Sequence, residues 1–213
     1  MVMDDVLDPH MFMMCESLDL EVASSLDEGY SISLLQKDEL PLLFDLVTRN
    51  RALVQDEEAH FYYDRVFRKD EKQFFSQCYL LRDDQSSQVI GSIALWKAYN
   101  VFHSIQWFSV ERAYREKGLA RSLFSHVVKQ LSEKDMPLYF HSRLTHFQAV
   151  NLFLDFGGKF IKDQYLGNKE NGVFENVPAL MKVLPLKSIN RMQFVAAPQE
   201  FLDALSPKEE LEI

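Results

Sequence analysis

Cysteine, glycine and proline are scarce in this 213-residue chain, which has 2 Cys, 7 Gly and 7 Pro. Cys15 and Cys78 cannot build a disulfide framework, and neither they nor the 6 His show metal-ligand spacing. Both a disulfide-stapled secreted scaffold and a metal centre are disfavoured, and Cys78 reads as core packing within a strand. Long apolar runs are missing too. The longest stretch without Asp, Glu, Lys or Arg is Ala98 to Val110, 13 residues, against the roughly 18 of a membrane-spanning helix. The first basic residue is Lys37, so the positive start of a secretory signal is lacking. No basic patch carries interleaved aromatics, which disfavours nucleic-acid binding. The expectation is a cytoplasmic protein that binds neither nucleic acid nor membrane.

Acidity is abundant but unevenly placed. The formal net charge is −9, yet Met1 to Gly29 holds Asp4, Asp5, Asp8, Glu16, Asp19, Glu21, Asp27 and Glu28 with no Lys or Arg. The last fourteen residues add Glu200, Asp203, Glu209, Glu210 and Glu212 against Lys208, which leaves Tyr30 to Gln199 with 22 basic and 19 acidic residues. The middle is slightly basic, so the low overall pI does not argue for a cationic substrate. This pattern suggests three parts: an acidic, loosely docked arm over 1–29, one domain over 30–186, and a C-terminal extension over 187–213.

Within the middle, Ser31 to Leu35 alternates as a strand, and Asp38 can cap a helix to about Thr48. Ala59, Tyr62, Tyr63, Val66 and Phe67 form the stripe of an amphipathic helix opened by Asp56-Glu57-Glu58. Strands are predicted over Phe74–Leu81, Val89–Trp96 and Phe102–Val110 as an antiparallel meander. A helix from Gly118 to about Lys134 follows, then a strand over Leu138–His141. Next comes an apolar helix with a capping box at Thr145 to Gln148, ending at Gly157-Gly158. Strand signals return at Lys159–Tyr165 and Ala179–Leu184. The order mixes a meander with a β-α-β unit.

The informative segment is Phe108-Ser109-Val110-Glu111-Arg112-Ala113-Tyr114-Arg115-Glu116-Lys117-Gly118-Leu119-Ala120-Arg121. A strand passes through a basic turn with one glycine straight into a helix. First-turn amides and the positive end of a helix dipole favour a phosphate, and Gly118 and Ala120 are small enough to let it reach the backbone. Neither the Gly-Lys-Ser/Thr of a nucleotide-triphosphate loop nor Gly-x-Gly-x-x-Gly is present, so ATP and NAD are not expected.

Arg115-x-x-Gly118-x-Ala120 resembles the pyrophosphate loop Arg/Gln-x-x-Gly-x-Gly/Ala of the GNAT superfamily of acyl-CoA-dependent N-acyltransferases. About thirty residues on, Ala149 to Gly157 is similar to that family's Ala-Ile-x-Leu-Tyr-x-x-Leu-Gly helix, and Met181-Lys182-Val183-Leu184 looks like its last strand. The resemblance covers about Tyr30 to Leu186. It implies a mixed α/β fold, with a mostly antiparallel twisted sheet of six to seven strands flanked by helices. In it Phe102–Val110 and Leu138–Ser142 run parallel and splay apart. It further implies transfer of an acetyl or other acyl group from acetyl-CoA to a primary amine of a small molecule or protein, in a monomer or homodimer.

By the same resemblance, the backbone of Phe108 and Val110 bonds the pantetheine amides. Arg115, Glu116, Lys117, Gly118, Leu119, Ala120 and Arg121 hold the pyrophosphate, and an N–H near Val110 faces the thioester oxygen. Two positions depart from the pattern. Phe153 stands where the family has a proton-donating Tyr, and His146 where it has Asn, both beside the cofactor. Tyr165 is the substitute acid considered, or else the thiolate leaves unaided. The base position of some relatives is Ser104, leaving His103 and His141, both expected to titrate near neutrality, as base candidates beside the plainer reading of hydrogen-bonded strand histidines. Glu111 reads as a solvated loop carboxylate. The alternative function is a CoA-binding or catalytically weak regulatory or interaction module.

Overall fold

The computed structural model describes residues 10–50 and 56–205. In chain order its elements are β1 (Met11–Cys15), β2 (Tyr30–Leu34), α1 (Leu40–Arg49), α2 (Asp56–Arg65), α3 (Glu71–Gln77), β3 (Cys78–Asp83), β4 (Gln88–Ala98) and β5 (Phe102–Val110). There follow α4 (Leu119–Val128), β6 (Leu138–Ser142), α5 (Phe147–Asp155), β7 (Lys159–Ile161), β8 (Tyr165–Leu166) and β9 (Lys169–Glu170). The last are α6 (Val173–Val183), α7 (Leu186–Ile189), β10 (Phe194–Val195) and α8 (Gln199–Leu205). They make two compact units. Of the described residues, the first unit takes 10–22, 98–103 and 133–205, and the second 23–50, 56–97 and 104–132.

In the second unit β2, β3, β4 and β5 are neighbours in chain order, with β2–β3 and β3–β4 antiparallel, as the predicted meander requires. Helix α1 presents Leu43, Phe44, Leu46 and Val47 to the core, and α2 presents Ala59 and Tyr63. Phe67, Phe74, Trp96 and Trp107 pack edge-to-face or stacked at 4.4–6.0 Å, a geometry that favours the aromatic quadrupoles beyond simple area burial. Phe74 is helical, not the start of a strand as predicted: Asp70 caps α3 by accepting from the Gln73 amide at 2.9 Å. Cys78 opens β3 and is fully buried. Helix α4 is shorter than predicted and stops at Val128, with Leu119, Leu123, Phe124, Val127 and Val128 buried.

In the first unit β1 is the middle strand of an antiparallel trio, pairing Met11–Cys15 with Ser142–Leu138 on one side and Met13–Met14 with Phe160–Lys159 on the other. β10 adds to β7 in parallel. The expected loose arm is therefore corrected for its described part. All five β1 residues are buried, because both faces and both edges of the strand are covered, and a strand so placed needs no polar alternation. Residues 24 and 25 are docked as well, in the second unit: the Ser24 amide donates to Ser125 Oγ at 3.0 Å and Ser122 Oγ donates to the Ser25 carbonyl at 2.7 Å. Asp4, Asp5, Asp8, Lys208, Glu209, Glu210 and Glu212 lie outside the described residues.

Three further predicted elements differ. The predicted strand at Ala179–Leu184 is the end of helix α6, which buries Val173, Asn176 and Leu180 at helical spacing despite Pro178. Lys159–Tyr165 divides into β7 and the β8–β9 hairpin. Helix α5 has His146 at its N-cap with no side-chain cap bond, so the predicted capping box does not start it. The segment after Lys187 continues into β10 and α8, whose Phe201 stacks on Tyr139 at 4.1 Å. The whole is mixed α/β with mostly antiparallel strands, as the sequence predicts. No helix among the described residues is long and apolar enough to cross a membrane.

Candidate active site

The last turn of β5 is shaped by one residue. Trp107 has φ +47°, a left-handed backbone that a bulky side chain rarely adopts and that costs about 1–3 kcal/mol where it persists. Its surroundings hold it there. The carbonyl accepts from the buried Ser92 Oγ at 2.7 Å, and the indole packs against Phe44, Tyr62, Phe67 and Phe74. Beyond this kink Phe108 packs on Phe124 of α4 at 5.8 Å, and Val110 is buried. Gly91 on β4 lets the strand end approach: a Cβ there would stand 2.9 Å from the Ser109 carbonyl oxygen and 3.2 Å from Val110 Cγ2. The Glu111 amide then donates to the Ile90 carbonyl at 2.7 Å. Glu111 is not a solvated carboxylate as expected. It is buried and ion-paired with Arg49, because the returning backbone tucks it against α1.

The turn that follows is exposed and basic. Tyr114 donates to Asp83 Oδ2 at 2.8 Å, and the Lys117 ammonium lies 5.0 Å from the Tyr114 ring centroid and 3.4 Å from the Tyr30 hydroxyl. Glu116 (φ +65°) and Gly118 (φ +75°) both take left-handed backbones, which swing the chain into α4. Gly118 is the N-cap, and no atom lies within 4 Å of where its Cβ would be. The backbone there is open on its outer side. The amides of Leu119 and Ala120 begin a ten-residue helix with no acidic residue in its first turn, and first-turn amides with the positive dipole end suit a phosphate. Thus the structure brings Phe108, Val110 and Arg115 through Arg121 together at one strand-turn-helix junction.

The remaining sequence-chosen residues belong to the first unit. His103 donates its Nδ1 proton to the Asp135 carbonyl at 3.3 Å, the plainer reading of a strand histidine. His141, on β6, is corrected: burial first, then the neighbouring charges of His10, Lys169, Arg143 and His146, push its pKa well below the ordinary 6.5, so it does not titrate near neutrality. Phe153 is buried and stacked on Phe140 at 4.1 Å. His146 caps α5, and Tyr165 is 58% exposed at the start of the β8–β9 hairpin, opposite Glu170. Sequence reasoning missed Gly91, Ser92 and Trp107. A glycine inside an otherwise apolar strand is the one signal that could have pointed there.

A family model described as the acetyltransferase (GNAT) family matches residues 40–157, more than half of the chain. The chain belongs to the GNAT acetyltransferase family. That match spans the β5 kink, the basic turn and helix α5, so the junction described above lies inside the matched segment. Among curated proteins no relative matches the sequence. Among solved structures, a GNAT acetyltransferase from Colwellia psychrerythraea aligns at a TM-score of 0.52 and 9% identity, over 71% of this chain and 52% of its own. A GNAT-family protein from Novosphingobium aromaticivorans aligns at 0.48 and 19%, over 71% of this chain and 59% of its own. A GNAT N-acetyltransferase from Escherichia coli, solved in complex with CoA, aligns at 0.40 and 23%, over 50% and 58%. The chain therefore spans little more than half the length of the first two GNAT structures, and at these identities the likeness concerns fold alone.

Proposed function

We propose that this protein transfers an acetyl group from acetyl-CoA to a primary amine of a small-molecule or protein acceptor. The observation that carries the reading is Gly118, a left-handed N-cap with open space at its Cβ position, at the head of α4 and flanked by Arg115, Lys117 and Arg121. Backbone amides from Gly118 to Arg121 hold the pyrophosphate, with Glu116 and Leu119 shaping the turn and Ala120 leaving room beside it. The backbone of Phe108 and Val110 binds the pantetheine amides. In the transfer, the amine nitrogen bonds to the acyl carbon, and the N–H near Val110 stabilises the oxyanion so formed. The C–S bond then breaks, and the acceptor nitrogen loses a proton.

His141 is a weak base in its depressed state, whereas His103 donates its Nδ1 proton to the Asp135 carbonyl. His103 is the side-chain base of this reading, with water as its substitute. Phe153 gives no proton, so Tyr165 or solvent protonates the departing thiolate. The buried Phe153–Phe140 stack is also what favours the second reading, a CoA-binding module of weak activity. A reducing cytoplasm suits the two free, buried cysteines.

Acetyl-CoA should raise the melting temperature, and Gly118→Asp should abolish the rise. Asp tolerates a left-handed backbone and meets no neighbour there, so the variant folds while its carboxylate repels the pyrophosphate. An unchanged rise in that variant would place CoA elsewhere. Thiol release across a panel of amines then separates the enzyme from the binding module.

A further inference from the structure

Strand pairing in the first unit gathers basic side chains that acetyl transfer does not use. Phe12 pairs with His141, so His10 stands opposite Arg143, and alternation along each strand puts all four on one face. The contacts agree: the His10 and His141 rings lie 5.0 Å apart, and Phe12 lies 5.9 Å from His141. Arg143 donates through Nε and Nη2 to His10 Nε2, at 3.3 and 3.0 Å. A guanidinium keeps its protons, so His10 Nε2 is the acceptor of this pair. Lys169 on β9 and His146 at the head of α5 act electrostatically on His141 as well.

Every charged neighbour that acts on His141 is basic. Its Nδ1 is cut off from solvent and has no hydrogen-bond partner among the described residues. In the tautomer with its proton on Nδ1, His141 is a buried donor without an acceptor amid basic groups, a cost that an oxyanion oxygen relieves. Arg143 supplies planar donors and Lys169 a mobile charge, the pairing that suits carboxylate or phosphate oxygens.

We propose that the His10–His141–Arg143–Lys169 face of the first unit binds an oxyanion, the phosphate or carboxylate of a small ligand. This goes beyond the acetyl-transfer reading and does not depend on it.

Inorganic phosphate and acetate, titrated separately into the full chain against chloride at equal ionic strength, test the proposal. Phosphate at about tenfold over its Kd should raise the melting temperature by about 3 °C. An equal rise with acetate marks a site for either oxyanion, and a rise with phosphate alone marks one for phosphate. Lys169→Gln, on an exposed two-residue strand, and Arg143→Gln should each remove most of the rise, whereas Gly118→Asp should keep it. In parallel, phosphate should shift the His141 imidazole resonances in a ¹H–¹⁵N spectrum, a readout that needs no variant. No rise with either anion, or a rise kept in Lys169→Gln and lost in Gly118→Asp, would overturn the proposal, since the anion would then sit at the α4 turn. Loss of acetyl-CoA binding with the phosphate response intact would sink only the transferase reading.

Discussion

A Cβ added to Gly91 would stand 2.9 Å from the carbonyl oxygen of Ser109, closer than real side chains approach backbone. The contact fixes how tightly the end of β5 lies against β4, immediately before the basic turn. Gly91→Ala should therefore push that strand end outward. Expected are a loss of about 1–3 kcal/mol in unfolding free energy and a weaker acetyl-CoA response, read by denaturant titration and thermal shift. A variant as stable and as responsive as the parent would show that the strand end adjusts freely.

Removing residues 1–29 should abolish cooperative unfolding, because β1 is the shared partner of β6 and β7 and all its side chains are buried. The milder Met13→Ala should cost about 2–5 kcal/mol by opening a cavity at a fully buried site. Circular dichroism with thermal melts decides this, and a truncated chain that melts sharply would return β1 to the status of a docked arm.

Phe153→Tyr keeps the ring and adds a hydroxyl where relatives of this family place their acid. Thiol release should be at least as fast as in the parent, with up to about 10²-fold acceleration where the hydroxyl reaches the sulfur. A tenfold fall in kcat at unchanged acetyl-CoA affinity would count against leaving-group protonation from this position.

Because burial first and the surrounding charges second hold the His141 pKa well below 6.5, the unfolded chain binds more protons than the folded one between those two values. Stability contributed by keeping this ring neutral is complete above pH 6.5 and declines as pH falls below it. His141→Phe should flatten that part of the profile, measured as melting temperature from pH 7.5 to 5. A parallel slope in both proteins would assign the titration to other groups.

Tyr165→Phe should change kcat by less than about tenfold, since an exposed hydroxyl on a two-residue strand is poorly held for proton transfer. A pH–rate limb that vanishes in the variant, with KM for acetyl-CoA constant, would make Tyr165 the acid instead.

Local chemistry determined the parts whose signals are local. The strand Phe102–Val110, the basic turn with its glycine and the head of α4 were legible because a left-handed cap, a dipole and a cluster of charges are all written within fourteen consecutive residues. What distant contacts decide was not legible. Met11–Cys15 has no alternation to read because all five of its side chains are buried, and Phe74 turns its ring into the cluster of Trp107, far away in the chain, from a helix held by the local Asp70 cap rather than from β3. Met181–Val183 is helical because α6 buries Val173, Asn176 and Leu180 along one stripe, a gain that outweighs the local discouragement of Pro178. The Trp107 kink, the burial of Glu111 and the depressed His141 depend likewise on contacts distant in the chain, with Phe44, Arg49 and His10 respectively, whose proximity only the folded chain creates.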